Sequence, residues 1–209
     1  MDTTLYPNFP GAYYYGHEND EISIEDFESF IKHPFNRDKS FELIDGRIVL
    51  MAGNATLNHQ RIVKGLFKKI DSFLEGHPCE VFFDFNLYLF DEELGECANI
   101  YQPDIMVCCD KAKITKRGYE GVPDFVIEVI SKSTGKYDYK DKRDNYARYK
   151  VKEYWVVDPA KNKIIVHLGG TTAEHTFYDT VESNAFPGFS VNFKEILEKL
   201  DKSELGWLI

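Results

Sequence analysis

Pro123-Asp124-Phe125-Val126-Ile127-Glu128-Val129-Ile130-Ser131 decides how this chain is read. Five aliphatic or aromatic residues surround one carboxylate, in a run too short for a membrane helix and rich in β-branched side chains. That pattern predicts a strand buried on both faces. Alternation places Phe125, Ile127 and Val129 on one side and Val126, Glu128 and Ile130 on the other. A carboxylate set among such neighbours loses its hydration unless a cation or several hydrogen bonds replace it. A buried salt bridge, a strand end nearer to water, or a bound cation would each satisfy Glu128.

Upstream, Tyr101-Gln102-Pro103-Asp104-Ile105-Met106-Val107-Cys108-Cys109 reads as the neighbouring strand, with Asp104 at its start. Alone, Asp104 is an ordinary turn aspartate. Beside Glu128 it becomes one of two carboxylates that repel each other, a repulsion that a hard divalent cation relieves with oxygen ligands. With 35 acidic residues among 209, spacing by itself carries no information; placement in apolar strands does. Glu42, between Phe41 and Leu43, is a weaker candidate of the same kind. His59 opens an amphipathic helix on its apolar side, where it serves either the site or the core.

Around these strands the chain alternates elements. Ser23 and Asp26 resemble a capping box for a helix that stops near Pro34. Asp45-Gly46 joins two strands of a hairpin. Residues 58–75 carry Ile62, Val63, Leu66, Phe67, Ile70, Phe73 and Leu74 at helical spacing, ended by Gly76 and Pro78. Residues 81–90 read as one strand, 91–99 as a polar turn, 138–149 as a helix, 153–159 and 163–168 as strands, and 191–201 as a closing helix. Residues 1–21 form an irregular extension and 22–209 a single α/β domain, with helices interrupting a mixed central sheet.

Hydrophobic residues make up 43% of the chain and charged residues 29%, ordinary values for a folded protein. No apolar run nears the ~20 residues of a membrane span, and no basic start with an apolar run marks a secretory signal. A cytoplasmic location with no membrane partner is expected. Cys79, Cys97, Cys108 and Cys109 lack metal-site spacing and read as reduced, buried thiols.

A net charge of −10 argues against general affinity for nucleic acid. One segment departs from that average. Residues 131–152 hold eight cations against three aspartates, a net +5, leaving −15 for the rest. Lys132, Lys136, Lys140 and Arg143 could meet phosphates there, or line a solvated helix face. Lys142, Tyr146 and Tyr149 share one helical face, which would turn Lys142 inward.

In order, FELIDG, NHQRI, QPDIMV, PDFVIEVISKST and DKRDNYARYKVKEYWVVDP resemble the Uma-type restriction endonuclease family, within the PD-(D/E)XK nuclease superfamily. The resemblance spans residues 22 to 168 and implies a restriction-endonuclease-like core: a mixed central sheet flanked by helices. It implies a metal-dependent endonuclease that hydrolyses DNA phosphodiesters with Mg²⁺ or Mn²⁺. Asp104 matches the aspartate of the Pro-Asp motif, Glu128 the acidic residue of (D/E)XK, and the Val129 carbonyl a third ligand. Ile130 stands where the superfamily usually has lysine; Lys142, with Lys140 in reserve, matches the position that supplies the cation from the following helix. Glu42 and His59 match further positions near the catalytic centre. A homodimer would suit cleavage of two strands. The competing expectation is a scaffold of this fold that binds nucleic acid or protein without cutting. A less favoured one is a hydrolase of small phosphorylated molecules.

Overall fold

The computed structural model describes residues 14–15, 22–51, 55–91, 97–130 and 142–207. Tyr14–Tyr15 form a two-residue strand, β1, where an irregular extension is expected; the rest of 1–21 lies outside the described residues. Ser23 Oγ accepts from the Asp26 amide at 3.1 Å and caps α1 (Ile24–Lys32), which stops before Pro34. Asp45 and Gly46 both take positive φ, 46° and 72°, the twist a two-residue hairpin needs. They join β2 (Ser40–Ile44) to β3 (Arg47–Met51) with Leu43 opposite Ile48. Thr56 caps α2 (Leu57–Phe73), whose Ile62, Leu66 and Ile70 recur every fourth residue and are fully buried.

The run expected as one strand over 81–90 is broken. It becomes β4 (Glu80–Phe82) and β5 (Leu87–Phe90), which belong to different sheets. Asp84 between them has φ 52°, and a left-handed residue ends the pleat and redirects the chain. Part of the expected polar turn is instead β6 (Cys97–Tyr101), separated by Gln102-Pro103-Asp104 from β7 (Ile105–Cys108). There follow β8 (Tyr119–Glu120), β9 (Phe125–Val129), α3 (Arg143–Arg148), β10 (Glu153–Asp158) and β11 (Lys163–Leu168). The chain then forms β12 (Thr171–His175), β13 (Thr180–Glu182), β14 (Ser190–Asn192) and α4 (Phe193–Leu197).

Among the described residues, the strands form two six-stranded sheets, β1-β3-β2-β6-β5-β8 and β12-β11-β10-β9-β7-β4, plus the hairpin β13-β14. Both sheets are mixed; in the second, β9 runs parallel to β10 and antiparallel to β7. The alternation within β9 sorts the core. Phe125, Ile127 and Val129 face the buried side of α2 and α4, while Val126 and Ile130 cluster with Leu87, Leu89 and Tyr101 of the first sheet and with Tyr146 and Tyr149 of α3. Phe27 and Phe30 of α1 pack with Leu43, Ile48, Tyr88 and Ile100. The result is a stack of helix, sheet, sheet and helix, with α3 between the sheets. Among the described residues, no helix is long and apolar enough to cross a membrane.

The expectation of four reduced thiols fails for one pair: Cys79 and Cys109 form a disulfide. The reason is register. Glu80 pairs with Cys108 across β4 and β7, so the next residues outward face each other, with Cα atoms 3.9 Å apart. Cys108 is buried outside the cross-link. The bridge closes a loop of 30 residues, and chain entropy then contributes about 3–4 kcal/mol. Cys109→Ser should lower unfolding stability by that order in urea without reductant, and the gap to the parent should close in excess dithiol. A parent that reacts with thiol reagent at both Cys79 and Cys109 before reduction would contradict the bridge.

Candidate functional site

The five candidate residues converge where the two sheets meet. Lys142 immediately precedes α3, and its side chain is 1% exposed. Its Nζ lies 3.0 Å from Glu42 Oε1, on β2 of the first sheet, and 2.9 Å from Glu128 Oε1, on β9 of the second. Ile130 is buried among apolar side chains. Lys142 turns inward beside Tyr146 and Tyr149, as their helical spacing predicts. Each of these three is buried.

Each carboxylate is held in a different way. Glu42 accepts from the Gln102 amide at 3.0 Å. Glu128 Oε1 also accepts from the Tyr146 hydroxyl at 3.1 Å, while Oε2 lies 3.4 Å from the Asp104 amide nitrogen. Asp104 accepts the Val129 N–H at 2.7 Å, a bond available because the ladder between β7 and β9 ends at the Ile105–Ile127 pair. His59 Nε2 lies 3.1 Å from both Asp104 oxygens, while its own amide is capped by Thr56. Asp104 is the most open of the three acids, its side chain 24% exposed. Solvent therefore reaches the cluster from the side of Asp104.

Burial alone does not mark such a site. Glu153 is fully buried, yet it accepts from Trp155 Nε1, Ser183 Oγ and the amides of Asn184 and Ala185 at 2.6–2.9 Å. That shell of neutral donors makes it a fastener for the 183–185 turn. Glu42 and Glu128 differ: both engage one ammonium, and Asp104 adjoins Glu128 through its backbone amide, so the three acids and the lysine sum to a formal −2 when all are ionised. One divalent cation matches that charge, and the oxygen donors suit a hard ion. Among the described residues, no three His, Cys, Asp or Glu side chains close on a common point. Mg²⁺ does not require such a cage, since it commonly takes one or two carboxylates and keeps waters or phosphate oxygens. The donor set fits.

Sequence reasoning did not assign roles to Tyr146, Gln102 or Tyr101. Tyr146 shares the inward face of α3, but its acceptor depends on the packing of α3 against β9. Asn145 donates to the Tyr101 hydroxyl at 2.7 Å and Asn99 to the Tyr149 hydroxyl at 2.7 Å, fastening α3 to β6. Of the expected phosphate contacts, Lys132, Lys136 and Lys140 lie outside the described residues. Arg143 is bonded to its neighbour Asp144 and takes no part in this cluster.

A family model described as "Uma2: Putative restriction endonuclease" matches residues 24–194. No curated protein matches the chain. Among solved structures, the chain is similar to a crystal structure described as "a putative nuclease belonging to DUF820" from Anabaena variabilis. The TM-score is 0.70 at 16% identity, over 85% of this chain and 98% of that one. The likeness shows that the two chains share a mixed α/β fold.

Two predictions follow from the buried charges. Lys142→Met strands Glu42 and Glu128 in a desolvated place, a loss of about 3–5 kcal/mol by the usual cost of breaking a buried ion pair. Removing one stranded acid as well, in K142M/E42L, should recover part of it; both are read from urea unfolding curves. The second concerns pH. Burial foremost, then the charge of Glu128, raises the Tyr146 hydroxyl well above its ordinary range, and burial raises Tyr149. Above about pH 10 the unfolded chain loses these protons first, so it binds fewer protons than the folded state and stability falls as pH rises. The stabilisation is complete below about pH 10. Tyr146→Phe should flatten the alkaline decline by up to one proton; an unaltered slope would contradict the assignment.

Proposed function

Because the chain belongs to the Uma2 family, described as "Putative restriction endonuclease", we propose that it is a Mg²⁺- or Mn²⁺-dependent endodeoxyribonuclease. The observation that supports this best is the pair of contacts made by Lys142, which returns to the (D/E)XK glutamate the cation that Ile130 cannot supply. In this reading Asp104 and Glu128 hold the metal, with the Val129 carbonyl as a third ligand. When bound, the ion acidifies a coordinated water and offsets charge that builds on the phosphate.

The chain's own residues set the conditions for that chemistry. The Val129 amide and His59 fix the Asp104 carboxylate in place. Lys142 neutralises part of the acidic cluster, so that an anionic phosphodiester meets less repulsion. His59, beside the most exposed acid, is placed to hold or pass a proton on the open side. Two such sites, one per strand, would suit a homodimer. The net +5 of residues 131–152 would offer phosphate contacts that the −15 remainder lacks.

A second reading, binding without cleavage, draws support from the same lysine: two carboxylates engage Lys142 within a nearly closed space. Cleavage of supercoiled plasmid with Mn²⁺ separates the two. Asp104→Asn and Glu128→Gln should each lower the rate at least a hundredfold while leaving the circular dichroism spectrum unchanged. Parent-level cleavage by both variants would overturn the catalytic assignment. No cleavage by the parent, together with retained DNA binding, would favour the scaffold.

A further inference from the structure

The two oxygens of Glu128 meet different surroundings. Oε1 receives two donors from one side, the Lys142 ammonium at 2.9 Å and the Tyr146 hydroxyl at 3.1 Å. Oε2 is turned the other way, where it lies 3.4 Å from the backbone amide nitrogen of Asp104, a long contact that holds it only loosely. Lys142 alone would not fix that division. An ammonium has three donors on a flexible stem, and this one also reaches Glu42. The phenol is a single donor on a rigid ring. That ring is fully buried, 5.4 Å from Tyr101 and 4.9 Å from Tyr154 between centroids, and Asn145, one residue before it, is tied to the Tyr101 hydroxyl. Tyr146 thus sits in a walled slot with its oxygen aimed at one carboxylate oxygen.

We propose that Tyr146 is a positioning residue: its hydroxyl joins Lys142 in holding Oε1 of the Glu128 carboxylate, so that Oε2 stays on the side of Asp104 and is presented to a divalent cation. The inference rests on the metal assignment given above. Phenylalanine at this position keeps the ring packing and the Lys142 contact and removes only the second donor to Oε1. The carboxylate can then rotate about its terminal bond, and Oε2 is held in that orientation for a smaller fraction of the time. Partners that orient metal-binding groups typically change affinity by about 10–100-fold when lost.

Calorimetric titration of Mn²⁺ into the purified full-length chain tests this with four proteins: the parent, Y146F, E128Q and Y146F/E128Q. The expected result is Mn²⁺ affinity about tenfold weaker in Y146F, abolished in E128Q, and no further change in the double variant. Plasmid cleavage by Y146F should recover toward the parent rate as Mn²⁺ is raised to saturation, which a general loss of packing would not allow. If E128Q binds Mn²⁺ like the parent, the metal assignment itself fails. If E128Q loses binding while Y146F keeps parent affinity, only the role of Tyr146 is overturned. Should Y146F not fold, the parent carries the test alone: Mn²⁺ should produce a tyrosine ultraviolet difference spectrum that is absent in E128Q, and no difference in the parent would overturn the proposal.

Discussion

An ammonium group sealed from water must be answered by negative charge, and Lys142 is answered from two directions at once. Glu42 belongs to one sheet and Glu128 to the other, so this ion cluster joins the two halves of the stack where their apolar faces would otherwise only slide on each other. Apolar packing is nearly indifferent to small translations, whereas a desolvated ion pair is not. The clamp therefore fixes the relative setting of β2 and β9. The place of Glu42 at the candidate site depends on that setting, whereas Asp104 is held to β9 within one sheet.

The end of the sheet makes the second contribution. The ladder between β7 and β9 stops at Ile105–Ile127, and beyond it the Asp104 side chain takes up the Val129 amide that a longer strand would have paired. Gln102 likewise turns its amide to Glu42. Pro103, which has no N–H to offer a ladder, lies between them where β6 gives way to β7 and the chain passes from one sheet to the other. Site and topology thus share a cause: the residues that terminate strands are those whose backbone donors orient the acids.

Glu153 shows what separates such a site from ordinary buried polarity. Its environment is at least as closed as that of Glu128, yet neutral donors satisfy it. Glu42 and Glu128 instead share one buried lysine, with Asp104 beside Glu128. The chain's −10 charge and this acidic cluster are separate matters: the first is spread over the surface, the second is confined to a few ångströms between strands.

Local patterns in the sequence determined a good deal. The hairpin at Asp45-Gly46, the buried stripe of α2, the two-faced strand around Glu128 and the inward turn of Lys142 were all legible, because period, turn residues and apolar runs act over a few positions. Asp104 and Glu128 stood out as acids in apolar strands, Glu42 and His59 only weakly, and Lys142 was singled out by its spacing to two tyrosines and by the family resemblance. Tertiary structure decided what depends on register and on which sheet a strand joins. The break at Asp84, the strand over Cys97–Tyr101, the Cys79–Cys109 bridge and the acceptor of Tyr146 each arise from residues far apart in the chain brought opposite one another. No short-range pattern encodes that meeting, because a strand's partner is chosen by the packing of the whole sheet and not by its own alternation.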